Sequence, residues 1–423
     1  MIIHQPELLK RDDHTILTSR IELEHFPITF PDFLWFRIPN LFAPFLSLQS
    51  DAFLIPCILA AMYLKEDIDV RGPVSPRLAY HLEEYQHLLH FRSPKEVTPI
   101  KINYSQLETL KTDPVGVGTT FSGGVDSLFT VWKHLPQNQS DPDYQITHGI
   151  FLKGFDILPS EDRHFQFLFE KYRLEAEKIG VKLIQLETNL VSIIHHRLSL
   201  PYFYGPIIAA AGIALAGGLR KFLIPSSWDY ENLRIKAHSS DPLLDRLLST
   251  DTLDIIHHGS THLRVEKVQE IAGWNTAQKL LWVCETHKFN KDTWNCSRCE
   301  KCVRTMIPLY TLGMLGNFRT FIKPFKSNPD LLWWARKFSP QRVFSREIFQ
   351  FAKKHNPVLL PWLRIASALG VIRYLVFVKL LPGFIKKWLH RYGYFNDRNE
   401  APDAYEIPEI TQFIRETHDH SSA

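Results

Sequence analysis

Two groups of residues in this chain have types and spacings suited to chemistry. The first is Ser122-Gly123-Gly124-Val125-Asp126-Ser127, which follows a short apolar run and precedes Leu128, Val131 and Leu135 at helical spacing. A strand, a glycine loop and a helix in that order build an anion site. Gly123 and Gly124 are expected to take φ > 0 and let a ligand approach the backbone. Successive N–H groups then form a nest, and the new helix adds its positive end. Ser122 and Ser127 add hydroxyl donors. Asp126 would repel a bare anion, so it is assigned to a Mg²⁺ that the phosphates also bind. Without Gly-Lys-Ser/Thr, this is not a Walker A loop. The plain alternative is a Gly-Gly turn before a helix.

The second group is the cysteines. The chain has five, and four form the pattern C-x11-C-x2-C-x2-C: Cys284, Cys296, Cys299 and Cys302. Four thiolates around a tetrahedral Zn²⁺ explain such clustering, because a C-x2-C turn presents two sulfurs to one metal. Nothing at the N-terminus reads as a signal peptide, which argues against disulfides and for a cytoplasmic protein. An iron–sulfur cluster and four unmetallated thiols are the alternatives. His287 could replace Cys284 as the fourth ligand. With protein at every position, the metal would be structural.

These residues must be held by elements, and the stretch between them alternates. Strands are expected at Val115–Phe121, Gln145–Leu152, Val181–Glu187 and Lys221–Pro225. Helices are expected near Ser127–Leu135, Glu161–Gly180 and Tyr204–Gly217. The alternation predicts an α/β fold with a doubly wound, mainly parallel sheet. Ligands of such sheets bind beyond the carboxyl ends of the strands. The loops after Phe121, Leu152, Glu187 and Pro225 should therefore ring one cleft. Phe151 and Leu152, and Ser226 and Ser227 in Pro225-Ser-Ser-Trp228-Asp229, become nucleotide-binding candidates, with a plain solvated loop as the alternative for the serines.

The glycine loop resembles the PP-loop of the ATP pyrophosphatase superfamily, whose members cleave ATP between the α and β phosphates to adenylate a carbonyl or carboxyl oxygen. The loop and the cysteines together resemble the 7-cyano-7-deazaguanine synthase family. Cys296-Ser-Arg-Cys299-Glu-Lys-Cys302-Val-Arg304 matches its C-x2-C-x2-C-x-Arg run. Gly259-Ser-Thr-His-Leu-Arg264-Val-Glu266-Lys267-Val268 resembles its phosphate-facing Lys/Arg stretch. The resemblance covers roughly residues 113 to 318. It implies that Lys267 and Arg264 join Asp126 as catalytic residues and offset charge on departing pyrophosphate; an exposed basic helix start is the alternative. It also implies ATP, Mg²⁺ and Zn²⁺ as cofactors. Where the family has a Phe-x-Tyr-Gly-Gln-like run after the second strand, this chain has Gly154-Phe155-Asp156-Ile157. Its length is nearer the long relatives of antiphage systems such as Qat and type IV CBASS, and other long relatives occur in polysaccharide clusters.

The chain of 423 residues is expected to divide into an N-terminal α+β region (1–110), the PP-loop region with its zinc site (111–324) and a mostly helical C-terminal extension (325–423). In the first, a helix is expected near Ser50–Leu64, a strand at Asp67–Arg71, a helix from Ser75-Pro76 to about Leu89, and a strand at Pro99–Ile102. This region is not an N-terminal-nucleophile glutaminase, because Ile2 stands where Cys or Ser is needed. Cys57 lies in an apolar run and reads as core. The region could serve substrate docking, dimerisation or cover of a sheet edge.

In the extension, Leu359–Leu389 is apolar but broken by Arg364, Arg373, Lys379, Lys386 and Lys387, so no run reaches the ~20 residues of a membrane span. It reads first as helical core, then as a partner's docking face or a membrane-surface helix. A short helix is expected at Ile407–Ile414. With 49 basic and 45 acidic residues, the net charge of +4 demands no nucleic acid. The twenty histidines are scattered, and His195-His196 and His257-His258 show no second ligand motif.

The leading expectation is an ATP-dependent, ligase-like enzyme that adenylates a small-molecule carboxylate, of the 7-deazaguanine type, for attack by ammonia or by an amine on a partner protein. A PP-loop enzyme acting on nucleic acid or sugar, or a nucleotide-binding component of a defence complex without turnover, are the alternatives.

Overall fold

The fold is that of a computed structural model, which describes residues 1–24, 30–195, 204–232, 240–284, 294–336, 343–376 and 407–421. His196, His287, Lys379, Lys386, Lys387 and the start of the C-terminal tail lie outside the described residues. Eleven strands make one sheet: β1 (Ile2–Ile3), β2 (Glu7–Arg11), β3 (His14–Glu22), β4 (Phe33–Pro39), β5 (Ile68–Val74), β6 (Ile102–Leu107), β7 (Gly116–Thr120), β8 (His148–Lys153), β9 (Lys182–Thr188), β10 (Leu219–Pro225) and β11 (Asp254–His258). Their order is β11-β10-β7-β8-β9-β4-β3-β1-β5-β6, with β2 paired on β3.

The stretch β11-β10-β7-β8-β9 is parallel throughout. Along the chain, connections run from β7 outward through β8 and β9, then return to β10 on the other side. The sheet is doubly wound as expected, and its switch point falls between β7 and β10, the place beyond whose carboxyl ends such sheets bind ligands. The alternation of apolar residues explains the layers. Ile150, Ile184, Phe222 and Ile224 face one core, while Phe151, Leu183 and Leu223 face the other. The Ala- and Gly-rich helix Tyr204–Ala214 packs closely because Gly212 sits on the Phe222 ring, where a Cβ would not fit.

The N-terminal region continues this sheet. β4 pairs antiparallel with β9, placing Arg37 opposite Glu187. Residues of the N-terminal region and of the parallel half share one apolar core, which includes Cys57. Helices Asp51–Leu64 and Pro76–Arg92 form where expected. Ser75 has N-cap backbone angles, yet its hydroxyl donates to Asp251 instead of capping the helix. The strand expected at Pro99–Ile102 begins at Ile102 instead. The amides of Ile100 and Lys101 are taken by the side chains of Gln86 and Asp67, so pairing with β5 starts only at Ile68↔Ile102.

The C-terminal extension is helical at Val343–His355, Leu360–Tyr374 and Pro408–Ser421, the last longer than expected. Ile348, Phe351, Leu359, Leu363 and Ala366 are buried in the same core as Val117 and Phe121 of the parallel half. Ile410 and Ile414 pack on Ile16, Phe33 and Trp35 of the N-terminal strands. Among the described residues, no helix is long and apolar enough to cross a membrane.

Candidate functional site

Ser122–Gly124 leaves β7 and opens the helix Val125–Lys133 at the switch point. Gly123 takes φ 76°, and a Cβ there would collide with the Tyr172 hydroxyl. Gly124 does not share the expected left-handed conformation. It is extended (φ −70°, ψ 163°), and a Cβ on it would find its nearest neighbour 3.4 Å away. A glycine there leaves that side of the loop open. The Ser127 hydroxyl is spent inside the loop: it accepts from the Ser122 amide (3.1 Å) and donates to the Thr120 carbonyl (2.7 Å). It shapes the nest and does not line it. Ser122 Oγ accepts from the Gly124 amide at 3.3 Å.

Asp126, in the first turn of that helix, meets two cations from the helix Arg264–Ala272. Arg264 Nη1 donates to its Oδ2 at 2.6 Å, and Lys267 Nζ to its Oδ1 at 3.1 Å. Lys267 is buried and also donates to the Ser226 carbonyl at 2.7 Å. Burial alone would raise the Asp126 carboxyl, but the Arg264 and Lys267 charges and hydrogen bonds outweigh it and hold it at about 2. Residues following β7, β10 and β11 thus converge on one point: one anion, two cations and an open glycine.

The remaining sequence candidates divide. Ser226 is buried, its hydroxyl donating to the Trp228 carbonyl at 2.9 Å, so it anchors Lys267 from beneath. Ser227 is exposed. The Phe151 ring stacks on Phe165 (4.9 Å, 16°) inside the core, and Leu152 packs against the opposite core. Both side chains are taken up by core packing, so neither offers a side-chain contact at the loop.

Sequence spacing missed the surroundings of Lys267. His257 bridges the buried Asp245 (Nδ1 to Oδ2, 2.8 Å) and Ser260 (Nε2 to Oγ, 2.7 Å), and Ser260 reaches the Trp228 carbonyl and Ser226 hydroxyl. This chain of polar groups braces the loop that holds Lys267. His258 lies behind it, bonded to Thr130 at 3.0 Å and edge-on to His134. Burial, then the charges of His134 and Lys267, pull His258 down to about 2, so it stays neutral beside the lysine. The adjacent His257-His258 pair was visible in the sequence; its partners, distant along the chain, were not.

The four cysteines meet as expected. Their sulfurs all lie within 4.8 Å of one another, and Cys296 and Cys302 are 4.0 Å apart. Zn–S bonds of ~2.3 Å place tetrahedral sulfurs about 3.8 Å apart, so the cluster fits a metal such as zinc. Amides point at the sulfurs: Cys299 and Arg298 donate to Cys296 (3.2 and 3.4 Å), and Cys302 to Cys299 (3.4 Å). Such donors stabilise thiolates. Ser297 takes φ 60° at the turn between two ligands. The buried Asn295 braces the site, accepting from the Val283 amide (2.8 Å) and donating to the Leu281 carbonyl (2.7 Å). The segment of chain leading to Cys284 then touches the glycine loop, since the Trp282 amide donates to the Gly123 carbonyl at 2.8 Å.

No family model, curated protein or solved structure matches this chain.

Proposed function

We propose that this protein is an ATP-dependent, ligase-like enzyme that cleaves ATP to AMP and pyrophosphate while activating a carboxylate. One observation carries the reading. Asp126, at the start of a glycine-nest helix on the switch point, is held by Arg264 and Lys267 from the neighbouring connection. In the proposed site the two cations that pair with this carboxylate would turn to phosphate. Mg²⁺, when bound, would neutralise phosphate charge and be held by Asp126. The Gly123–Asp126 amides and the two cations then face the β and γ phosphates. Structural zinc on the four cysteines would fix the segment that supports Gly123.

In the proposed reaction a carboxylate oxygen attacks the α-phosphorus and pyrophosphate leaves. Ammonia or an amine attacks the acyl carbon of the adenylate, AMP departs and an amide results. A nitrile requires a second activation, of the amide oxygen. The acid we propose is of the 7-deazaguanine type and the acceptor is a protein amine. The changed Gly154–Ile157 run and the two added regions support that departure from a free small acceptor. The test is to incubate the protein with Mg²⁺, ATP and 7-carboxy-7-deazaguanine, with ammonia or with a protein encoded beside it. AMP and pyrophosphate as products support the reading, and a mass shift on the neighbouring protein supports the acceptor. ADP and phosphate without AMP would refute adenylation.

A further inference from the structure

Glu347, on the C-terminal helix Val343–His355, is buried, and neither of its carboxylate oxygens makes a well-formed hydrogen bond among the described residues, the Val265 amide offering only a weak one. It lines a narrow cavity with Arg264, Val265, Val268, Arg304, Phe344 and Ile348, too tight for a water molecule. The Nε of Arg264 is also buried there without a partner. A carboxyl and a guanidinium, each with unmet hydrogen-bonding capacity, therefore share one dry space, an arrangement that costs stability as it stands and leaves both groups able to take a new partner. The helix is fixed in place by Phe344. Its ring stacks on Trp228 (5.3 Å, 19°) and lies 3.8 Å beneath the Arg304 guanidinium. The groups facing Glu347 are Arg264 and the Val265 amide from one helix, Arg304 from a second, and Asp229 from the loop after β10.

We propose that Glu347 is a positioning residue of the nucleotide site, the second anchor of Arg264, which takes hold of the guanidinium when Mg²⁺ and phosphate draw Asp126 away from it. This rests on the nucleotide reading above. With Asp126 engaged elsewhere, Arg264 loses its only ion-pair partner among the described residues. Glu347 keeps one edge of the guanidinium, leaving the Nη edge for the phosphates, as a bidentate fork allows. The docked C-terminal helix becomes a condition for a competent site.

The experiment is calorimetric titration of the full chain and its Glu347→Gln variant with Mg²⁺·ATP and, separately, with AMP. We expect the variant to bind Mg²⁺·ATP about tenfold more weakly, equivalent to ~1.4 kcal/mol, and AMP unchanged, because AMP lacks the phosphates that compete for Asp126. In an Arg264→Ala background the same substitution should have no further effect. Equal Mg²⁺·ATP affinity in wild type and Glu347→Gln overturns the inference. So does an equal loss for AMP, or full additivity with Arg264→Ala, either of which marks a merely structural role. Failure of the wild type to bind Mg²⁺·ATP would instead remove the nucleotide reading on which it stands.

Discussion

At the scale of single residues, the two glycines of the loop separate conformation from ligand access. Gly123→Ala forces a left-handed φ on a residue with a Cβ, at a cost of about 1–2 kcal/mol before the Tyr172 collision is added. Gly124→Ala keeps an ordinary extended conformation with room for its methyl group. We expect Gly123→Ala to lower the melting temperature, and Gly124→Ala to leave it unchanged while weakening Mg²⁺·ATP binding. Unchanged affinity in Gly124→Ala would show that no ligand approaches that side of the loop. Asp126→Asn should abolish AMP formation with the fold retained. Because the folded Asp126 carboxyl lies below its unfolded value, its pair with Arg264 and Lys267 stabilises the protein fully above about pH 4, and that stability is lost toward pH 2. Glu347 has the opposite sign. Burial raises it to about 7, with Asp229 adding and Arg264 and Arg304 opposing. The unfolded chain releases that proton first, so stability falls as pH rises from about 4.5 to about 7 and is level above. Glu347→Gln should therefore be more stable than wild type at pH 8, by up to about 3 kcal/mol, and equal to it at about pH 4 in paired thermal melts.

At the scale of elements, the cysteine cluster shows how much local spacing reveals. C-x2-C turns fix which sulfurs can meet, so Cys284, Cys296, Cys299 and Cys302 were legible as one site without any knowledge of the fold. So were β7 to β10 of the parallel half, because each is a short apolar run bounded by breakers; β11, only Asp254–His258 with an acid and two histidines, was not. β1 to β4 escaped notice, since antiparallel strands such as His14–Glu22 mix polar and apolar residues on faces that only the sheet defines. Glu347 was invisible for another reason: its role depends on where a helix docks, which no local pattern encodes. The cysteine cluster also has a reach beyond its four thiols, through Trp282 to Gly123. We expect protein purified without added metal to carry about one zinc per chain by elemental analysis. Cys302→Ser should lose the zinc and lower both the melting temperature and nucleotide affinity, with full activity in zinc-free protein as the result that would sink the structural assignment.

At the scale of the whole molecule, the regions set apart by sequence length are joined by charge as well as by apolar packing. Lys153, buried at the end of β8, donates to Glu187 at 3.1 Å and to Asp162, while Arg37 of β4 donates to Glu187 at 2.6 Å. One carboxylate thus holds a cation from the parallel half and another from the N-terminal strands at their seam. Removing it leaves the half-buried Arg37 without this carboxylate and Lys153 with Asp162 alone, which costs about 1–3 kcal/mol. Glu187→Ala should show that loss in urea denaturation, whereas a loss below 1 kcal/mol would mean that the seam is held by apolar contact alone. Truncation at residue 325 should expose the core that Phe351, Leu359 and Leu363 fill and yield protein that aggregates; a soluble, cooperatively folded truncation would contradict that role.

The sheet also acts as a partition. Helices Asp51–Leu64 and Tyr204–Ala214 supply apolar residues to one core, while Val125–Lys133, Arg264–Ala272 and Glu300–Thr311, with all four clustered cysteines, belong to the other. A disturbance at the cysteines therefore has a wall in its path. Stripping metal with a chelator should speed amide hydrogen exchange in the second set of helices and spare the first, so that the molecule opens one face at a time, as two foldons divided by a shared plate of strands.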